Sequence, residues 1–171
     1  MNFNEIEVRI DKPYPRIVGA KQDPITIGIL KNLAMSKKGE LIAVLTYIYQ
    51  SVIADKTNED IAKIFEEVAV VEMMHLDMLM HAITAFGGNP KYEDAHGNFL
   101  STMSVNYNTK LKDMLEANIA GESMTAAEYR EATKHVTNES LKDLLTRIAQ
   151  DEDRHLEIFK QIKNGVEFLS V

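Results

Sequence analysis

Residues 68–77, with the sequence VAVVEMMHLD, place one glutamate and one histidine, Glu72 and His75, on an otherwise apolar helical face. Apolar residues at spacings of three and four continue this face on both sides, which predicts a helix directed at a core. Residues three apart lie on the same side of a helix, so this carboxylate and this imidazole point in the same direction. A buried carboxylate without a partner is costly, so the pair either lies on an exposed part of the helix or takes part in binding.

The same pattern occurs again at residues 148–157, with the sequence IAQDEDRHLE. Here Glu152 and His155 take the places of apolar residues on the last predicted helix. A single Glu-x-x-His motif is more often an exposed pair than a pair of ligands. Two copies, each on a core face, favour metal binding instead.

The repeat includes one further glutamate in each half of the chain, preceded by glycine and followed seven residues later by tyrosine. These residues are Glu40 with Tyr47, and Glu122 with Tyr129. Glycine costs about 1 kcal/mol against alanine inside a helix, so its presence before both glutamates indicates close backbone approach there. We expect both tyrosines to be core side chains with satisfied hydroxyls; contact with the site or redox activity is the alternative.

Two helix pairs related by a pseudo-twofold axis would bring six side chains to one point. These predicted metal ligands and catalytic residues are Glu40, Glu72, His75, Glu122, Glu152 and His155. Four ionised glutamates carry four negative charges, which two divalent cations neutralise, so that the filled site can lie in an apolar core. Oxygen and imidazole ligands without sulfur suit iron or manganese.

Proline, glycine and capping residues divide the chain into four predicted helices. Asp23-Pro24 is a favourable helix start, and Gly87-Gly88-Asn89-Pro90 is a strong stop. Residues 87–107 have an irregular composition, and so long a connection fits a crossover that runs the length of a bundle. The predicted helices run from 24 to about 54, from 59 to 86, from about 108 to 136 and from 139 to 165. The predicted organisation is an N-terminal arm at 1–22, a bundle at 23–165 and a tail at 166–171.

The composition excludes several classes of function. The chain has 171 residues, a formal net charge of −7 and no cysteine. The acidic balance argues against nucleic acid and anionic membranes as partners. The longest apolar run, around 41–49, is shorter than the ~20 residues that a membrane helix needs, and the N-terminus lacks an apolar signal segment. We therefore expect a cytoplasmic protein without disulfides or iron–sulfur clusters.

The ligand pattern, one glutamate from each of two helices and Glu-x-x-His from each of the other two, resembles that of the ferritin-like di-metal carboxylate superfamily. The resemblance covers about 24–164 and is greatest to rubrerythrin and bacterioferritin. It implies an all-α, antiparallel four-helix bundle with a long crossover between the second and third helices. It also implies that Glu72 and Glu152 bridge two iron ions, or alternatively two manganese ions. Glu40 with His75 would complete the ligands of one metal, and Glu122 with His155 those of the other.

The resemblance implies a di-iron oxidoreductase that reduces hydrogen peroxide or dioxygen. Because the cysteines of a rubredoxin domain are missing, electrons would come from a separate donor protein. A homodimer or higher homo-oligomer is expected. Three alternatives remain open: manganese-catalase-like dismutation of peroxide, iron storage behind a ferroxidase site, and a metal-stabilised scaffold without turnover. The few residues after Gly165 disfavour the fifth helix of cage ferritins.

Several positions depart from the rubrerythrin pattern. Thr125 stands where a rubrerythrin usually carries a second glutamate. In relatives, an aspartate before the bridging glutamate often orients the histidine of the opposite half. Asp151 occupies that place and is expected to face His75, whereas Val71 takes the equivalent place for His155. The difference predicts two metal positions of unequal affinity. A weaker similarity, at Lys12-Pro13-Tyr14-Pro15-Arg16 with Gly39-Glu40-Leu41, is to manganese catalases.

Overall fold

Helices account for most of the computed structural model, which describes the backbone of residues 6–168 and the side chains of residues 6–165. The five α-helices are α1 (Pro24–Met35), α2 (Glu40–Ala54), α3 (Glu59–Ala85), α4 (Leu111–His135) and α5 (Glu139–Phe168). The connection from α3 to α4 holds one 3₁₀ turn, Thr102–Ser104. No β-strand is present within 6–168. The predicted all-α class and the long crossover are therefore confirmed.

Two helical hairpins form the bundle. α2 packs on α3, and α4 packs on α5, while α1 lies mainly against α3. Short connections, at 55–58 and 136–138, make the members of each hairpin antiparallel. Side-chain caps fix the starts of α1, α3 and α5. For α1, Asp23 accepts from the backbone N–H of Thr26 at 3.2 Å. For α3 and α5, Asn58 accepts from that of Ile61 at 3.0 Å, and Asn138 from that of Leu141 at 2.9 Å.

The prediction of one continuous helix from 24 to 54 is wrong. α1 ends at Met35, and α2 begins at Glu40 after the break at 36–39. Gly39 lies against the end of α1, where an added Cβ would stand 2.5 Å from the carbonyl oxygen of Leu33. The backbone therefore turns tightly at this point, and Glu40 becomes the first residue of a new helix. Close approach, predicted for both glycines before the ligand glutamates, is confirmed only here.

Two smaller boundaries also differ. α4 begins at Leu111 rather than near Asn108. α5 continues through Gly165 to Phe168, three residues into the predicted tail, because a helical glycine weakens a helix without ending it. Residues 1–5 of the predicted arm and 169–171 of the predicted tail lie outside the described residues.

A polar layer divides the apolar core into two clusters. On α3, Phe65 and Val68 belong to one cluster and Leu79 and Ile83 to the other. The glutamate and histidine of the first motif lie between them, and α5 repeats this order in the opposite direction. Fully buried apolar side chains thus cover the polar layer from both ends of the bundle.

α3 is also long and apolar enough to cross a membrane, by length and composition alone. Half of its most apolar stretch is buried inside the bundle. The central helix of a helical bundle has the same length and composition as a membrane-spanning helix, so this property fits either kind of helix.

The described part of the predicted arm, 6–22, has no regular secondary structure and lies along α5. Arg154 donates from Nε to the carbonyl oxygen of Glu7 at 2.9 Å, and Arg147 donates to that of Lys12 at 3.1 Å. Farther along, Ser140 Oγ accepts from the backbone N–H of Val18 at 2.9 Å. Side chains of α5 therefore replace the strand or helix partners that the arm backbone lacks.

Candidate metal centre

The structure brings all six predicted ligands together in the polar layer. One glutamate comes from α2, one from α4, and a glutamate with a histidine from each of α3 and α5. Each of the six is at most 3% exposed. Their ligand atoms form two groups in which all atoms lie within 4.8 Å of one another. The groups are Glu40, Glu72, His75 and Glu152, and Glu72, Glu122, Glu152 and His155.

Both histidines face Glu72, and His75 faces Glu152 as well. His75 Nδ1 lies 3.0 Å from Glu72 Oε2 and 3.0 Å from Glu152 Oε1. His155 Nδ1 lies 3.0 Å from the other oxygen of Glu72 and 3.8 Å from Glu122 Oε2. Both carboxylate oxygens of Glu72 are thus directed at different imidazoles, as a bridging ligand requires.

Two buried tyrosines cross the site reciprocally. Tyr47, on α2, donates its hydroxyl proton to Glu122 on α4, and Tyr129, on α4, donates to Glu40 on α2. Burial, together with the neighbouring carboxylates, raises the pKa of both phenols well above the usual value. Both hydroxyls are satisfied inside the core, and their partners are candidate ligands, so the alternative of contact with the site is what the structure shows.

Asp151 faces His75 across the bundle, as the resemblance to the di-metal carboxylate proteins implied. Its Oδ2 stands 3.2 Å from His75 Nε2. Burial alone would raise the pKa of Asp151, but hydrogen bonds from His75, Tyr14 and Arg147 outweigh burial and lower it. The carboxylate therefore stays ionised and holds the imidazole with Nδ1 turned toward the cluster.

Sequence reasoning missed two residues of this network. Tyr14, in the arm, donates a hydrogen bond of 2.6 Å to Asp151 Oδ2, and its hydroxyl lies 3.5 Å from His75 Nε2. Arg147 lies one turn before Asp151 on α5. Its Nη1 is 2.7 Å from Asp151 Oδ1, and its Cζ is 4.6 Å from the centre of the Tyr14 ring. Burial is the largest influence raising the pKa of Tyr14 to about 12. The sequence showed only the i−4 spacing of Arg147 from Asp151 and the similarity of the segment around Tyr14 to manganese catalases, and neither indicated a contact with His75.

The second histidine has no equivalent support. His155 Nε2 is buried and makes no hydrogen bond to any described side chain. The equivalent of Asp151 is Val71, which is buried and apolar. The two halves of the site are therefore alike in their ligands and different in what holds the imidazoles.

The donor set fits a pair of metal ions. Several buried ligand atoms lie close to other ligand atoms but are not aligned for a hydrogen bond with any described residue: Glu40 Oε2, Glu72 Oε1, Glu152 Oε1 and His155 Nδ1. Burial and the repulsion of neighbouring carboxylates raise the pKa of Glu40 and of Glu152. Such a set needs added positive charge, and the oxygen and nitrogen donors suit iron or manganese. The cluster is thus able to bind a metal ion pair.

Comparison with solved structures supports the fold. The chain is similar to KatB, a manganese catalase from Anabaena PCC7120, with a TM-score of 0.83 and 23% identity over 93% of this chain and 80% of that one. It is similar to a bacterioferritin from Rhodobacter capsulatus, whose structure has a metal-free dinuclear site and haem iron. That match has a TM-score of 0.75 and 22% identity, and covers 87% of this chain and 89% of that one. The ferritin-like bundle is thereby confirmed.

At the level of sequence, no curated protein matches the chain. The family model described as rubrerythrin matches residues 31–163, which include all six candidate ligands. This match covers most of the chain and agrees with the repeated Glu-x-x-His geometry of α3 and α5. The chain is therefore a member of the rubrerythrin family.

Proposed function

We propose that the chain is a di-metal oxidoreductase that reduces hydrogen peroxide, with dioxygen as a second oxidant. The observation that carries this proposal is the pair of overlapping ligand groups that share Glu72 and Glu152. Family membership supports the same chemistry. A pair of iron ions held there would supply the two electrons of the reduction and would be reduced again by a separate donor protein.

The chain itself holds and orients the site. Glu72 and Glu152 belong to both ligand groups and would be shared by two ions, while Glu40 and Glu122 each belong to one group and would each hold one ion. Reduction of hydrogen peroxide to two waters also takes up two protons. Tyr47 and Tyr129 hold protons at their hydroxyl oxygens, directly beside Glu122 and Glu40. Because the pKa of each phenol is raised, these protons remain in place at neutral pH.

The second candidate is dismutation of hydrogen peroxide at a manganese pair, which needs no electron donor. One observation favours it: the fold matches a manganese catalase over 93% of this chain. The uncovered 7% is shorter than the arm at 1–22, so the similarity extends beyond the four-helix core into at least part of the arm.

Metal content and peroxide turnover test both candidates. The protein is produced with iron and manganese both supplied, and bound metal is counted per chain. Peroxide loss is then followed with and without reduced methyl viologen, and oxygen release with an electrode. Consumption that depends on the viologen supports the iron reductase, whereas oxygen release without it supports dismutation.

Glu72→Gln removes the shared negative charge while keeping the shape of the side chain. We expect this variant to lose bound metal and turnover. Glu66→Gln, an exposed change on the same helix, serves as the matched control. If the wild-type chain binds no metal in a fixed ratio, or if Glu72→Gln turns over peroxide equally fast, the proposal is wrong.

A further inference from the structure

A cavity of about 290 Å³ lies between α2 and α4 and connects the surface with the candidate metal centre. Glu40, Glu122 and Glu152 form its inner end, and Lys37, Lys38 and Met124 lie at its outer end. Neither histidine borders it. The cavity therefore approaches the cluster from the side of its carboxylates.

Gly121 forms part of the cavity wall immediately before Glu122. A Cβ added at Gly121 would meet no atom within 4 Å, in contrast to Gly39, where it would strike backbone. Close packing thus accounts for one glycine of the repeat and not for the other. Glycine in a helix costs about 1 kcal/mol against alanine, and here it leaves the cavity wall without a side chain directly before a candidate ligand.

The cavity is larger than hydrogen peroxide requires. A volume of 290 Å³ is several times the ~30 Å³ that one water molecule occupies in the liquid. It approaches the lower end of small-molecule pockets, about 300–1,000 Å³. Ala43 and Ala117 add small side chains to the wall. A small alkyl group attached to the peroxide would therefore find room.

We infer that this cavity is the route by which peroxides reach the metal centre, that it admits small alkyl hydroperoxides as well as hydrogen peroxide, and that the missing side chain at Gly121 keeps it open to them. The inference rests on the proposed function and adds the substrate class. Gly121 acts here as a specificity-determining residue because its missing side chain is what leaves the passage open.

The outer end of the cavity carries positive charge although the chain as a whole carries −7. Lys37 and Lys38 are both exposed at the opening. Lys38 Nζ lies 2.8 Å from Met124 Sδ, so two flexible side chains meet across the opening from opposite walls. Cations at the opening attract anions toward it, which makes azide a suitable probe of entry.

The test measures entry separately from turnover. Gly121→Leu places a side chain in the passage, and Gly165→Leu makes the same change at a helical glycine on α5 where an added Cβ also meets nothing. With metal-loaded protein in stopped flow, we expect Gly121→Leu to slow azide association on the order of tenfold or more. Its kcat/KM for tert-butyl hydroperoxide should fall further than that for hydrogen peroxide. Gly165→Leu should match the wild-type chain in the rate of azide association and in kcat/KM for each peroxide.

The outcomes distinguish this inference from the proposed function. If metal-loaded Gly121→Leu binds azide as fast as the wild-type chain does, the cavity is not the route, and the proposed function still stands. If wild-type protein reduces hydrogen peroxide but never tert-butyl hydroperoxide, the substrate class is wrong. If wild-type protein binds no metal, both proposals are wrong.

A surface variant covers the case in which Gly121→Leu does not fold. Lys37→Glu combined with Lys38→Glu reverses the charge at the opening and alters only exposed side chains. We expect azide association to slow several-fold at low salt, with the difference shrinking as salt screens the charges. An unchanged rate at low salt would place azide entry elsewhere and overturn the inference.

Discussion

Tyr14 donates a hydrogen bond of 2.6 Å to Asp151, a residue far along the chain on α5. The same carboxylate oxygen of Asp151 lies 3.2 Å from His75 Nε2, so one oxygen connects the N-terminal arm with a candidate metal ligand. Arg147 balances the charge of Asp151 from the other side. The arm is therefore part of what orients the ligand.

Tyr14→Phe removes this hydrogen bond and keeps the ring. Hydrogen bonds to charged groups contribute about 1.5–3 kcal/mol, so we expect the free energy of unfolding of the metal-free protein to fall by about that amount. Urea denaturation followed by circular dichroism measures it. Tyr92→Phe, at a tyrosine that is 56% exposed, is the control. Equal stability of the two variants would show that the arm contact contributes nothing.

Asp151→Asn tests the predicted inequality of the two metal positions. Loss of a group that orients a ligand histidine typically costs about 10–100-fold in metal affinity. We expect that loss at the position of His75 and a smaller one at that of His155, whose Nε2 has no such partner in the described residues. Stepwise metal titration by calorimetry resolves the two positions. Asp153→Asn is the control, and equal losses at both positions would contradict the inequality.

Glu72 and Glu122 should differ in how many metals they hold. Glu72 belongs to both ligand groups, and Glu122 to one. Glu72→Gln should therefore lose both ions, whereas Glu122→Gln should lose mainly the ion beside His155. Metal content after gel filtration measures this difference. If Glu122→Gln empties both positions as completely as Glu72→Gln, the assignment of Glu72 as the shared ligand is wrong.

Metal affinity should rise with pH. Burial and neighbouring carboxylates raise the pKa of Glu40 and Glu152, and hydrogen bonds raise that of His75 despite its burial. Groups with a raised pKa hold protons that must leave before a metal binds, so acidification weakens binding. Calorimetry in buffers of different ionisation enthalpy should show proton release. A binding heat that does not depend on the buffer would contradict this expectation.

The two glycines of the repeat should respond in opposite ways to the same change. Gly39→Ala forces a Cβ against the carbonyl oxygen of Leu33 and should destabilise the fold by about 1–3 kcal/mol. Gly121→Ala meets open space and should leave stability unchanged or raise it by up to about 1 kcal/mol. Thermal unfolding of the two variants gives the comparison. A similar loss at both positions would mean that packing also constrains Gly121.

Helical periodicity made much of the site predictable. Glu72 and His75 share a face with Val68 and Leu79, so the core that buries the leucine must also receive the two polar side chains. The break at 36–39 escaped the same reasoning because Leu33 and Leu41 continue the apolar pattern across it. Only the contact of Gly39 with the end of α1 reveals the turn.

The arm could not be placed from its sequence. Tyr14 lies in a segment without periodicity, and its partner Asp151 is remote in the chain. Arg147 was equally hidden, since an arginine on a helix is ordinarily exposed and this one is 4% exposed. Both belong to contacts that depend on the final packing of the arm against α5.

The contact between Tyr14 and Asp151 also bears on the order of events during synthesis. The N-terminal half emerges from the ribosome with α2 and α3, which carry three of the candidate ligands and an apolar face without its partner hairpin. Domains form as units, and contacts between distant segments form late. Tyr14 can reach Asp151 only after α5 has emerged. A nascent chain that has not yet released α5 therefore cannot hold a finished metal site, because α5 supplies Glu152 and His155 as well as Asp151.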